Sequence, residues 1–135
     1  MSYRFTVSRK KEQNLHRTMD WNEVLQIKST KPWAVIRARE QKKLLGQVAV
    51  VLVDEEDSAY LYYFVVDPSC RGQGIGTALL QRTENWIKSQ GYSKVVLYPQ
   101  LEFESTLLPF YEELGYTKLK RDPENRGEFR MEKYL

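Results

Sequence analysis

Apolar positions along the chain follow two periods, near two and near 3.6 residues, and their succession predicts most of the elements. Tyr3 to Ser8 alternates large and small side chains like a strand, and Thr18 to Lys28 reads as a short helix with Thr18 or Asp20 as its cap. Pro32 opens a second strand, Trp33 to Arg39, in which Ala34, Ile36 and Ala38 alternate with Val35, Arg37 and Arg39. A polar turn at Gln41 to Lys43 leads into two nearly continuous apolar runs, Leu44 to Val53 and Ala59 to Val66, with Asp54-Glu55-Glu56-Asp57 between them. Strands of that kind are covered on both faces, and three in succession predict an antiparallel meander. The acidic run reads as a solvated connection; attraction of a cationic substrate is the secondary reading.

From Gly74 to Gln90 the period becomes helical, with Ile75, Leu79 and Trp86 on one stripe beside Leu80 and Ile87, and Gly91 stands where a C′ glycine ends such a helix. Val95 to Tyr98 is a short fifth strand, Ser105 to Leu114 a helix closed by Gly115, and Tyr116 to Lys120 with Glu128 to Tyr134 a final strand pair. The order is βαβββαβαββ. Residues 59 to 98 form a strand-helix-strand crossover, which puts one parallel pair into an otherwise antiparallel sheet. The expected class is α/β (α+β): a single domain over residues 1–135, with a mixed, mostly antiparallel, bent sheet flanked by helices.

At 135 residues, 41% hydrophobic, 29% charged and 13% aromatic, the chain has the makeup of one globular domain. Its longest apolar runs, Val48 to Val53 and Tyr60 to Val66, fall far short of the ~20 residues of a membrane helix, so no membrane partner is expected. Met1 to Lys11 is basic without the apolar stretch of a secretory signal, and a cytoplasmic location is the default expectation. With Cys70 and His16 as its one cysteine and one histidine, the chain builds neither a disulfide framework nor a zinc site, and no metal is expected. Cys70 reads as an ordinary loop thiol, and His16, Trp21, Trp33 and Trp86 as packing residues. Residues 1–53 carry a net +7 and residues 54–135 a net −4. Arg9-Lys10-Lys11 and Lys42-Lys43 are too short and separate for a nucleic-acid surface and read as solvated tips, so no nucleic-acid partner is expected.

Chemistry concentrates in Val65-Val66-Asp67-Pro68-Ser69-Cys70-Arg71-Gly72-Gln73-Gly74-Ile75-Gly76. A buried strand here runs through three alternating glycines into the strongest helix, so backbone N–H groups converge at a positive helix terminus, and Arg71 adds a charge. A merely structural turn accounts for one such glycine but poorly for three beside an arginine. The Gly-Lys-Ser/Thr of a kinase-type loop is missing, and glycines spaced two and two do not make the dinucleotide fingerprint. An anion site remains, suited to a diphosphate.

These residues resemble the GNAT superfamily of acetyl-coenzyme A-dependent N-acyltransferases. Its Gln/Arg-x-x-Gly-x-Gly/Ala signature is matched by Arg71, Gly74 and Gly76, preceded by the familiar Val-x-Pro as Val66-Asp67-Pro68. A second motif of the family is matched by Phe110-Tyr111-Glu112-Glu113-Leu114-Gly115-Tyr116. The resemblance covers residues 44 to 121. It implies a GNAT-like acyl-CoA N-acyltransferase fold, acetyl-CoA as cosubstrate, and a small-molecule, protein or peptide amine as acceptor.

Carried over residue by residue, the resemblance implies that Arg71, Gly72, Gln73, Gly74, Ile75, Gly76 and Thr77 hold the diphosphate of coenzyme A. Phe64, Val65 and Val66 would pair with pantetheine in a wedge between Tyr62 to Val66 and Val95 to Tyr98, with the thioester beside Val66. Tyr111 matches the tyrosine that protonates the leaving thiolate. From a phenol near pKa 10 to a thiolate near 8.5 this transfer is uphill by roughly 2 kcal/mol. Packing of the helix onto the sheet is the competing role for Tyr111. Ala59 to Val66 lacks the carboxylate that many members use as general base, and Glu104 replaces the asparagine commonly found seven residues before the tyrosine. Glu102 and Glu104 are therefore candidate bases from the rim. One helix between the first two strands, where the family often has two, implies an open acceptor site. Two functions follow: an N-acetyltransferase favouring an amine of low pKa, or a non-catalytic acyl-CoA-binding or sensing module.

Overall fold

The computed structural model describes residues 4–9 and 33–135, whose strands form one seven-stranded sheet. In chain order these are β1 (Arg4–Arg9), β2 (Trp33–Glu40), β3 (Lys43–Val53), β4 (Ser58–Val66), β5 (Lys94–Leu97), β6 (Thr117–Asp122) and β7 (Glu128–Tyr134). Helix α1 (Ile75–Ser89) joins β4 to β5, and α2 (Glu104–Glu113) precedes β6. Across the sheet the order is β1-β2-β3-β4-β5-β7-β6. Every pairing is antiparallel except β4 with β5, as the crossover requires. The expected helix at Thr18 to Lys28, together with His16, Trp21 and the Trp33 side chain, lies outside the described residues.

Continuous apolar strands bury both faces. Ile36, Ala38, Val48, Val50, Ala59 and Leu61 point to the helix side, where they meet Leu79, Leu80 and Ile87 of α1 and Tyr111 of α2. Val35, Ala49, Val51 and Val53 form a second cluster on the opposite face with Tyr60, Tyr62 and Tyr63. The acidic connection is a 3-10 turn, Asp54–Glu56, with no buried residue. No described helix is long and apolar enough to cross a membrane.

Both helices stop in the same way. The Gly91 amide donates to Lys88 C=O at 3.0 Å and the Tyr92 amide to Ile87 C=O at 3.3 Å. At the end of α2 the Gly115 amide donates to Glu112 C=O at 3.1 Å and the Tyr116 amide to Tyr111 C=O at 3.0 Å. These are Schellman caps, in which a left-handed glycine lets the chain turn back over the last carbonyls, and the following tyrosine packs on the core.

The helical stripe of α1 includes two polar residues that periodicity did not predict as buried, Thr83 and Glu84. Thr83 returns its hydroxyl to Leu79 C=O at 2.7 Å. Glu84 accepts from the Tyr116 hydroxyl at 2.7 Å and from Lys133 Nζ at 2.9 Å, and Lys133 also donates to Leu114 C=O at 2.9 Å. One carboxylate thus ties α1, the end of α2 and β7 together.

Replacing Lys133 leaves that carboxylate buried with a single side-chain partner. Lys133→Met is expected to destabilise the fold by about 3 kcal/mol, and Tyr116→Phe by about 1–2 kcal/mol. Because both act through Glu84, the double variant should lose less than the sum, which urea unfolding of the four proteins measures.

Candidate functional site

Strand β4 is paired along its whole length on one side only. Against β5 it pairs over Ser58, Ala59 and Tyr60, opposite Lys94, Val95 and Val96. From Leu61 to Val66 it continues beside β3 while β5 ends at Leu97. The wedge expected between Tyr62 to Val66 and Val95 to Tyr98 is present as a divergence of the two strands, but it opens only after Val96, since Val95 and Val96 are still paired.

Within the diverging part β4 carries a bulge. Gln47 pairs with Val65 and Ala49 with Tyr62, so three steps of β4 face two of β3. Tyr63 takes up the extra residue in a left-handed conformation, φ +55°, which a tyrosine rarely adopts. Side-chain parity changes there: Tyr63 joins Tyr60 and Tyr62 on one face, while Phe64 and Val66 turn to the helix side. A run of seven consecutive apolar residues, Tyr60 to Val66, shows no alternation from which this shift could be read.

Beyond Val66 the chain is fastened before it turns. The Asp67 amide donates to Leu45 C=O at 2.8 Å, and the Asp67 carboxylate accepts from the Ser69 amide at 2.9 Å, capping the 3-10 turn Pro68–Cys70. The Arg71 amide closes that turn on Pro68 C=O at 3.4 Å. From Gly72 to Thr77 no amide N–H finds a backbone acceptor among the described residues; the first bond of α1 runs from Ala78 to Gly74 C=O at 3.0 Å. No side chain caps the helix. Six donors at the positive end of a fifteen-residue helix form a concentration of positive potential of the kind that suits an anion.

The three glycines serve two purposes. Gly72 and Gly74 have φ of +81° and +77° with open space around them, so conformation alone selects glycine there. Gly76 is helical, and a Cβ on it would lie 3.4 Å from Val66 Cγ2 and 3.7 Å from Phe64 Cε1. Its role is close packing of the first helical turn on the bulged end of β4. Arg71 and Gln73 are exposed, Thr77 half-buried, and the Ile75 side chain buried in the core, leaving its amide to act. Val65 is 48% exposed on the open side of the sheet.

Tyr111 reaches this region from α2. Its ring stands edge-on to Phe64 at 6.3 Å and to Phe110 at 5.1 Å, and it is 6% exposed. The hydroxyl has no hydrogen-bond partner among the described residues. Burial pushes this phenol up to about 12. A buried hydroxyl without a partner is uncommon and calls for an explanation.

Neither rim glutamate is set up as a base. Glu104 opens α2 in a two-bond pair with Arg121 of β6, at 2.8 and 3.2 Å, and Glu102 is exposed. On the face opposite the helices, Arg130 of β7 donates to the Tyr60 hydroxyl at 3.2 Å, the Tyr98 hydroxyl at 3.1 Å and Glu132 at 2.7 Å. Tyr60 donates to Glu56, and Tyr98 to Asp122 at 3.0 Å. This array spans β4, β5 and β7 where the wedge begins, and no local sequence pattern announces it. Burial first, then neighbouring Tyr60 and Tyr98, pushes the Tyr62 phenol up to about 12.

Residues 3–116 match the pattern of the Acetyltransferase (GNAT) family. N-acetyltransferase 8B of Homo sapiens is 33% identical over 85 residues, 60% of this chain and 37% of that protein. The chain spans less than half the length of this and a second curated relative. In fold it is similar to the PaiA N-acetyltransferase of Thermoplasma acidophilum solved with coenzyme A, with TM-score 0.68, 24% identity, and 84% and 68% of the two chains covered. It is also similar in fold to a Bacillus subtilis acetyltransferase solved with CoA, with TM-score 0.78, 13% identity and 99% of each chain covered.

The two kinds of glycine should separate on substitution. Gly74→Ala is expected to cost about 1–2 kcal/mol, because alanine is strained at that φ. Gly76→Ala should leave stability unchanged or raise it by up to about 1 kcal/mol through helix propensity, with only ordinary contacts to Val66 and Phe64. Chemical denaturation of both variants checks the order.

Proposed function

The chain belongs to the acetyltransferase (GNAT) family, and we propose that it moves the acetyl group of acetyl-CoA to a primary amine by direct attack, with Tyr111 as general acid. The observation that carries this reading is the run of partnerless amides from Gly72 to Thr77 beside the open edge of β4. Those amides and Arg71 would hold the diphosphate, and the backbone of Phe64, Val65 and Val66 would pair with pantetheine where β5 has left. Val66 adjoins the diphosphate end of such an arm, so the thioester belongs further back along β4 than the expected place beside Val66, and a β4 amide at the bulge is suited to polarise its carbonyl.

The division of faces supports one direction of attack. Tyr111 lies on the helix side with Phe64, so the leaving sulfur is protonated from there. The amine then approaches from the other side, past the phenols of Tyr62 and Tyr98. At a pKa of about 12, Tyr111 stays protonated throughout the physiological range, as a donor must. Transfer to a thiolate near 8.5 is uphill by about 5 kcal/mol if the thiol keeps its aqueous value. Exclusion of water raises the thiol's pKa as well and narrows that gap.

Relatives include a serotonin N-acetyltransferase of Oryza sativa and a histone acetyltransferase of Glycine max, two different acceptors, so the residues of this chain must decide between amine classes. Strand β4 offers no carboxylate between Ser58 and Val66. An α-amine near pKa 8 needs little help to deprotonate, whereas a lysine amine near 10.4 costs about 3–4 kcal/mol at pH 7.5 to 8. The acceptor is therefore an N-terminal or similarly weakly basic amine. The same vacancy favours the alternative of an acyl-CoA-binding sensor.

Thiol release from acetyl-CoA across a panel of α-amines and lysine peptides tests the reading. Tyr111→Phe should lower kcat about 10²-fold with the KM for acetyl-CoA unchanged. Since only protonated Tyr111 is competent and its proton is lost near 12, kcat should show no falling limb below pH 10. Cofactor binding without amine-dependent release, indifferent to Tyr111→Phe, would establish the sensor instead. Turnover of lysine peptides that levels only above pH 10, with none of α-amines, would reject the acceptor assignment.

A further inference from the structure

One cation beside the loop has no part in the scheme above. Lys43 opens β3, and because β3 and β4 are antiparallel, it lies at the end of the sheet where β4 stops and the free amides begin. Its ammonium donates to Ser69 Oγ at 3.1 Å. Ser69 is itself fixed, with its hydroxyl donating to Asp67 Oδ1 at 2.8 Å and its amide to the same oxygen at 2.9 Å. Asp67 is in turn bonded to β3 through Leu45 C=O. Its bonds from Ser69, and then the charges of Lys43 and Arg71, hold the Asp67 carboxyl below its ordinary range. An exposed lysine usually samples many rotamers; this one is held by a single bond and keeps two further protons for a ligand.

Direction decides which ligand group Lys43 meets. The open edge of β4 faces β5, whereas Lys43 lies on the β3 side. A molecule that lay along that edge and crossed the start of α1 toward β3 would meet Lys43 after the group held by the amides. Coenzyme A has one further anionic group past its diphosphate, the phosphate on the ribose 3′ oxygen. Resting on the cofactor reading above, we propose that Lys43, steadied by Ser69, binds this 3′-phosphate and makes the chain discriminate coenzyme A from 3′-dephospho-coenzyme A.

Titration calorimetry with the two ligands, on the native chain and on Lys43→Met and Lys43→Arg, tests this without any acceptor amine. Native protein should bind coenzyme A about tenfold more tightly than the dephospho form. Lys43→Met should weaken coenzyme A about tenfold, leave the dephospho form unchanged, and so abolish the preference, while Lys43→Arg restores most of it. An equal loss for both ligands would put Lys43 on the diphosphate and overturn the proposal, as would a native protein without preference. Failure of the native protein to bind either ligand would remove the cofactor reading itself. Unchanged urea unfolding of Lys43→Met separates a lost contact from a lost fold.

Discussion

The site depends on one constraint: β4 must stay hydrogen-bonded to β3 to its end while giving up β5 after Tyr60. An unpaired strand edge in a sheet interior leaves main-chain donors and acceptors unsatisfied, and proteins rarely tolerate that without a ligand to complete them. Here the exposed edge, the uncapped start of α1 and the partnerless hydroxyl of Tyr111 lie in one region. Each alone is a small energetic deficit. Together they are the features on which the proposed placement of acetyl-CoA rests.

The bulge at Tyr63 makes the arrangement possible. It reverses the facing of the last β4 residues, so that Phe64 and Val66 pack under Gly76 and beside Tyr111 while Tyr60 and Tyr62 stay on the opposite face. A left-handed tyrosine is strained by an amount of order 1–3 kcal/mol, and the packing of both faces holds it in place. The ring contacts of Tyr111 with Phe64 and Phe110 explain why its packing role and its proposed proton-donor role need not compete. The same apolar neighbours that fix the ring also remove water from the hydroxyl.

Much of this was legible in the sequence. The meander, the crossover and both helix ends follow from period and from Gly91 and Gly115, and the turn into α1 from its spaced glycines. Three things were not. Parity inside Tyr60 to Val66 is hidden, because every position there is apolar. The bonds of Arg130 to Tyr60 and Tyr98 join residues 70 and 32 positions apart, which no local pattern can signal. Glu104 read as a candidate base because a loop glutamate and an ion-paired one look alike in sequence; its partner, Arg121, is 17 residues away.

Strand β7 occupies the place between β5 and β6 and supplies both Arg130 and Lys133. It is also made after every other element that builds the site. As the polypeptide leaves the ribosome, β5 therefore has β4 as its one strand partner until Met131 to Tyr134 emerge and pair with it. The two walls of the cleft are translated first and acquire their fixed separation last, so nascent chains stalled before residue 128 should carry the glycine-rich turn into α1 without a finished groove beside it.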